Sequence, residues 1–244
     1  MKIVCTIEAR MGSSRLPGKS LKKILGKPML ELMIERVKKA ELIDEIVLAT
    51  SKNPNDNAIE DLAGKLKVGC FRGSEDDVLD RVLSAAKAYH ADHIVELWGD
   101  TPLIDPEIID SMIKYYFNNN FDCVGTCLDK SFPWGIAALI FPTRVLDEVG
   151  KITNDPVDRE NVSNYIYEHP DKYSIGHLPC PPELNRPEIR LCVDELTDFN
   201  LVTKVFEMIY PTNPDFKTFD IINYLDANPN IRDININTKQ KKLR

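Results

Sequence analysis

Four short segments of this chain combine residue types that could do phosphate chemistry. The densest is Ala9-Arg10-Met11-Gly12-Ser13-Ser14-Arg15-Leu16-Pro17-Gly18-Lys19, which sets three cations within ten residues of a chain whose net charge is −7. Glycines let a backbone approach a ligand closely, serine hydroxyls donate hydrogen bonds, and Arg and Lys neutralise phosphate oxygens. The loop is neither a Walker GxxxxGK[ST] nor a dinucleotide GxGxxG. The second segment is Gly99-Asp100-Thr101-Pro102-Leu103-Ile104-Asp105-Pro106. Asp100 there suits a hard cation such as magnesium, which takes one or two carboxylates together with substrate phosphates and water. Asp105 reads as the cap of a helix opening at Pro106.

The third segment runs from Arg190 through Asp194 to Phe199. Asp194 is open to two readings, a second metal carboxylate or the N-cap of the next helix. In the fourth, Phe71–Arg81, Ser74 and Asp77 fit a capping box with Asp in place of Glu or Gln. Arg72 and Gly73 could read a base or a phosphate, whereas Asp80 and Arg81 could form a surface pair of little weight. His90, His93, His169 and His177 have no paired-ligand spacing and receive no catalytic role. The six cysteines lack CxxC spacing and read as core thiols.

These segments must be held by regular elements. Strands are predicted at 2–7, 45–49, 68–71, 93–97 and 122–125, with helices at 27–40, 53–66, 75–89 and 105–119 between them. Such repetition means right-handed βαβ units and a mostly parallel sheet, whose ligands sit beyond the carboxyl ends of its strands. Further strands are predicted at 134–141, 172–178 and 188–193, and helices at 142–150, 157–167, 196–209 and 218–225, with a loosely held tail from Asn228. We read residues 1–244 as one α/β domain, with 130–187 as an inserted lobe.

The composition, 43% apolar and 28% charged, is that of an ordinary globular protein. Its acidity removes a general footprint for nucleic acid. No apolar run approaches the roughly 20 residues that span a bilayer, and the opening MKIVCTIEAR is no signal peptide. The expected location is the cytoplasm.

IEARMGSSRLPGKSLKKILGKPMLE, EIVLATS, VGCFRGSEDDVLDR, GDTPLIDPEII and VDELTDF, in that order, resemble the cytidylyltransferase family. Its members activate acidic sugars as CMP-sugars and include the CMP-sialic acid and CMP-ketodeoxyoctonate synthetases; the chain is most similar to the spore-coat polysaccharide branch. The resemblance implies a Rossmann-like nucleotidyltransferase sandwich, mostly parallel with helices on both faces, that forms a homodimer through its lobe. Arg10, Ser13, Arg15 and Lys19 would cradle the CTP triphosphate, and Asp100 and Asp194 would hold Mg2+. Arg72 and Ser74 would lie beside the base, with Ala9, Gly12, Ser14, Gly73, Trp98 and Gly99 completing the nucleotide surface. Arg15, Lys19 and Asp100 are the expected catalytic residues, and Trp134 and Arg159 the expected acceptor contacts.

The implied reaction moves CMP from CTP to a small, ulosonic-acid-like sugar with release of pyrophosphate, for surface polysaccharide synthesis. A phosphate or phosphonate acceptor giving a CDP-type product, a glycosyltransferase, and a non-catalytic nucleotide-binding protein remain as alternatives. The chain departs from the pattern at Glu8, which would oppose a triphosphate unless it points away or pairs with Arg10 or Lys19. It departs again at Trp98, and at PWGIAALIF, where Trp134, Ala137 and Ala138 replace positions that relatives fill with acids.

Overall fold

Strand β1 (Ile3–Glu8) is a run of β-branched and apolar residues buried on both faces, as a central parallel strand must be. Ile3, Cys5 and Ile7 enter one core layer and Val4 the other. The computed structural model describes residues 1–240. A short antiparallel ribbon follows the loop after β1, pairing β2 (Lys23–Ile24) with β3 (Lys27–Pro28). Its two-residue turn, Leu25-Gly26, has positive φ at both positions, as tight hairpins require. The ribbon takes the first two residues of the helix predicted from Lys27, so that helix, α1, spans Met29–Val37.

The chain then alternates through β4 (Glu45–Ser51), α2 (Asn57–Leu66), β5 (Gly69–Gly73), α3 (Val78–Ala88), β6 (His93–Trp98), α4 (Pro106–Phe117) and β7 (Cys123–Gly125). There follow β8 (Leu139–Pro142), α5 (Thr143–Ile152), α6 (Pro156–Glu160), α7 (Asn164–Glu168) and β9 (Ile175–His177). The described part closes with α8 (Leu196–Ile209), α9 (Thr218–Ala227) and α10 (Pro229–Arg232). Strand order is β5-β4-β1-β6-β8-β7-β9. Only β8 is antiparallel to its neighbours, β6 and β7. Helices α1, α2, α4, α8 and α9 cover one face of the sheet, while α3, α5 and α7 cover the other. Within residues 130–187, β8 and β9 therefore run in the main sheet.

β4 and β5 are added on one side of β1 and β6 on the other, so the order reverses at the β1/β6 pair. A crevice at the carboxyl ends of two such strands is the usual ligand position in an open α/β sheet. β1 and β6 run in register from Ile3 opposite His93 to Glu8 opposite Trp98. The loop that opens at Ala9 and the loop that opens at Gly99 thus start side by side.

Several predicted elements differ. The strand expected over 134–141 begins only at Leu139, and 188–193 forms no strand: Trp134 and Arg190 make a single isolated bridge. Residues 133–136 instead form a turn, closed by the Ile136 amide on the Pro133 carbonyl at 2.9 Å, with Gly135 at φ 112, outside the range of a strand. The helix expected over 157–167 is two, because the Asn161 side chain bonds the Val157 carbonyl at 2.8 Å and ends the first. The helix expected from Glu75 starts at Val78. Ser74 Oγ accepts the Asp77 amide at 3.0 Å, and Asp77 is itself the cap, taking the Asp80 amide at 2.9 Å. Arg81 is buried and donates to the Ser74 and Glu75 carbonyls, so it forms no surface pair with Asp80. The tail expected to be loose from Asn228 is anchored: Asn235 is buried, with hydrogen bonds to Arg190 and Asp198. Its last four residues lie outside the described range.

Candidate active site

The loop after β1 is shaped by a buried acid. Asp56 Oδ1 accepts the Met11 amide at 2.7 Å and its Oδ2 accepts the Ser51 amide at 3.2 Å, tying the loop to the end of β4. The Gly18 amide returns to the Met11 carbonyl at 3.0 Å. Gly18 sits at φ 70, a backbone region that costs glycine nothing, and it turns the chain into a single 3-10 turn over Lys19–Leu21.

That turn aims Lys19 at the end of the neighbouring strand. Its Nζ donates to Asp100 Oδ2 at 2.9 Å and to the Val193 carbonyl at 2.7 Å, and lies 3.4 Å from Asp194 Oδ1. Arg15 reaches the same Asp194 oxygen at 2.8 Å. The two aspartates are brought together by a backbone hydrogen bond, Val193 N–H to the Asp100 carbonyl, at 2.8 Å. Lys19, Arg15, Asp100 and Asp194 therefore meet at one point, although the sequence separates Lys19 from Asp194 by 175 residues. Burial raises the Asp194 carboxyl, but Lys19, Arg15 and Arg190 outweigh it and hold the group below the ordinary aspartate range. Asp194 does not cap α8. The Asp198 carboxylate takes the Asp194 and Glu195 amides instead, both at 3.0 Å.

Gly99 is required by this junction. Its amide donates to the Glu8 carbonyl at 2.9 Å, and a Cβ at this position would stand 2.8 Å from that oxygen and 3.0 Å from Ala9 Cβ. Gly99→Ala should push the two loops apart and cost about 1–3 kcal/mol, measurable as a lower urea midpoint.

The other residues expected at the site are not part of this cluster of four. Arg10 leans toward α6, 3.9 Å from Glu160. Ser13 makes a long 3.4 Å contact with the Leu16 amide, while Gly12 and Ser14 are exposed. The Arg72 guanidinium bonds the Ser51 and Asn53 carbonyls, Asn57 and Glu60, clamping β5 to the start of α2. Gly73 packs under Arg81, and Ser74 serves the Asp77 amide. Arg159, expected at the acceptor, spends its guanidinium on Asp77 and the Gly150 carbonyl. Trp134 is 37% exposed and is bonded through its backbone to Ile189 and Leu191, which places it beside Arg190.

Glu8 neither opposes the loop nor pairs with Arg10 or Lys19. It turns under the sheet to meet Glu96, and both carboxyls are buried. Glu96 and Ser163 are also close, yet neither Glu96 oxygen has a hydrogen bond of ordinary geometry. Burial and the Glu96 charge push the Glu8 carboxyl well up, while burial lifts Glu96 to about 7.

Sequence reasoning missed Arg190, which donates to Asp194 Oδ2 at 2.7 Å and to Asp198 Oδ1 at 3.0 Å. The spacing Arg190, Asp194, Asp198 is visible in the chain, but an expected strand over 188–193 gives it no meaning. Chemically, the cluster offers two hard carboxylates converging on one ammonium, so a divalent cation in that place would meet oxygen donors from both. Arg15 and Lys19 could take phosphate oxygens next to it.

A cytidylyltransferase family profile matches residues 4–219. An uncharacterised protein of Methanocaldococcus jannaschii is 41% identical over 100% of this chain and 98% of its own length. The spore coat polysaccharide biosynthesis protein SpsF of Bacillus subtilis is 31% identical over 93% of this chain and 95% of its own length. Among solved structures, a cytidylyltransferase from Leptospira borgpetersenii superposes with a TM-score of 0.90 at 31% identity, covering 99% of each chain. With this sheet, this loop and matches that run nearly end to end, the chain belongs to the cytidylyltransferase family of nucleotidyltransferase enzymes.

Proposed function

We propose that this enzyme transfers CMP from CTP to a small acidic sugar of the ulosonic type, using Mg2+ and releasing pyrophosphate. The observation that supports this reading most is the seat of Lys19 between Asp100 and Asp194, with Arg15 on the same oxygen of Asp194. Nucleotidyl transfer asks little covalent work of a protein; positioning and charge stabilisation dominate. The acceptor hydroxyl attacks the α-phosphorus in line, the new O–P bond forms, and the bond to the β-phosphate oxygen breaks. Arg15 and Lys19 would bind the departing pyrophosphate and take up its developing charge. Asp100 and Asp194 would hold Mg2+, which when bound supplies Lewis-acid stabilisation of the phosphate oxygens. The backbone of Ala9, Gly12, Gly73 and Gly99 would face the nucleotide, with Ser13 and Ser14 as hydroxyl donors and Trp98 at the strand end.

Trp134, half-exposed beside Arg190, is the proposed wall of the acceptor pocket. In this reading Arg72 and Ser74 would lie beside the base and Arg159 at the acceptor, each giving up some of the partners it has here, as Lys19 and Arg15 would. Polysaccharide synthesis as the setting draws on the name of the SpsF relative. No helix among the described residues is long and apolar enough to cross a membrane. We place the enzyme in the cytoplasm as a homodimer, which sedimentation at micromolar concentration would test.

The reaction is tested by pyrophosphate release from each of the four nucleoside triphosphates, offered with ulosonic acids or with phosphorylated acceptors, with and without Mg2+. Release should require CTP, Mg2+ and a ulosonic acid together. Release only with a phosphorylated acceptor would replace the CMP-sugar product with a CDP-type one, and turnover with another nucleotide would overturn the assignment of CTP.

A further inference from the structure

Arg190 is held between two carboxylates with only 11% of its side chain exposed. Its Nη2 donates to Asp194 Oδ2 at 2.7 Å and its Nε to Asp198 Oδ1 at 3.0 Å. Asp198 is fully buried and is itself fixed. Its Oδ2 accepts the Asp194 and Glu195 amides, and its Oδ1 also accepts Asn235 Nδ2 at 2.8 Å. Asn235 donates in turn to the Arg190 carbonyl at 3.0 Å, closing a ring between the C-terminal segment and the segment that carries Asp194.

The two oxygens of Asp194 consequently do different things. Oδ2 is anchored by Arg190, while Oδ1 is turned toward Lys19 and Arg15, on the side where Lys19 also bonds Asp100. Without the anchor, the carboxylate could turn about its side-chain torsions, so that its position and plane toward Lys19 and Asp100 would no longer be fixed. A planar guanidinium can hold Asp194 and Asp198 at once through separate nitrogens, which a single ammonium cannot do with the same geometry.

We propose that Arg190 is the positioning residue for Asp194, locked by Asp198 and by Asn235, and that this lock sets the affinity of the site for a divalent cation. The proposal rests on the reading of Asp100 and Asp194 as the cation's carboxylates. Groups that hydrogen-bond a metal ligand typically change metal affinity or activity by 10–100-fold when lost. Deleting the Arg190 charge would confound orientation with electrostatics, because one fewer cation beside Asp194 strengthens its pull on a metal. The informative variants therefore conserve charge.

The test is direct Mn2+ binding, followed by the free-ion paramagnetic signal with no nucleotide present, for the wild type, Arg190→Lys and Asn235→Ala. Arg190→Lys should weaken Mn2+ roughly tenfold. It should also raise the Mg2+ concentration for half-maximal turnover by a similar factor, with kcat at saturating Mg2+ largely retained. Asn235→Ala, which removes no charge and only a small side chain, should move both readouts in the same direction by a few-fold. Unchanged Mn2+ affinity per folded molecule in both variants, with only a lower melting temperature, would overturn the proposal. Asp100→Asn and Asp194→Asn in the same titration keep the two readings apart. If they bind Mn2+ as the wild type does, the metal reading itself has failed. If they lose it while Arg190→Lys and Asn235→Ala do not change it, only the positioning role has failed.

Discussion

Asp100→Asn should lower pyrophosphate release at saturating CTP by roughly 10²–10³-fold, about 3–4 kcal/mol of transition-state stabilisation, on the scale of losing one preorganised electrostatic group at a reacting centre. The substitution conserves volume and removes one negative charge. Lys19 keeps the Val193 carbonyl and Asp194, so the ammonium stays seated while one of its two acids is neutralised. The backbone carbonyl of Asp100, which holds the Val193 amide, is untouched. Thermal melting should stay within a few degrees of the wild type, and steady-state pyrophosphate release measures the loss. A variant that turned over at the wild-type rate would remove Asp100 from the chemistry.

The second large effect concerns stability. Glu8 and Glu96 lie side by side in the interior, and Thr6 stands opposite Glu96 on the paired strand. Arg81 lowers the Glu8 carboxyl in part, but burial and the charges of Glu96 and Asp100 act the other way. The folded protein thus keeps protons that the unfolded chain releases near pH 4–5. Between there and about pH 7, where Glu96 titrates, the folded form binds more protons than the unfolded form. Stability must then fall as pH rises through that window, and keep falling above it while Glu8 still holds a proton that the unfolded chain has lost. A tenfold difference in proton affinity between the folded and unfolded chain corresponds to about 1.4 kcal/mol, so Glu96 by itself contributes on the order of 3 kcal/mol and Glu8 adds to it in the same direction. Glu96→Gln should flatten this slope, leaving stability near pH 5 little changed and raising it at pH 8. Urea midpoints of the two proteins from pH 5 to 9 would show it; parallel curves would mean that the pair ionises freely in the folded state.

How much of this could be read from the chain depended on how local each cause was. The alternation of strand and helix was legible because parallel strands buried on both faces need apolar runs, and β1, β4 and β6 have them. Asp105 was legible as a cap, and it takes the Glu107 amide at 3.0 Å. The gathering of Arg15 and Lys19 with the two aspartates followed from a rule about strand ends, although the bond from Lys19 to the Val193 carbonyl spans 174 residues. The structural partners of Arg72 were not legible, because its neighbourhood in sequence, a strand end followed by glycine and serine, points to ligand binding. Its actual partners, Asn53, Asn57 and Glu60, come from the preceding crossover. Arg190 and Asn235 were out of reach for the same reason, since only the folded chain brings the tail onto the start of α8.

The amide of Val193, fully buried and bound to the Asp100 carbonyl, is the stitch between the two halves of the site. Its hydrogen can exchange with solvent deuterium only when that stitch opens, so a single peptide covering this residue would monitor how often the halves part. Ligands that bridge the end of β6 and the entry of α8 should slow that exchange even if nothing else in the spectrum moves. The same peptide would then rank candidate acceptors by occupancy, with no turnover needed.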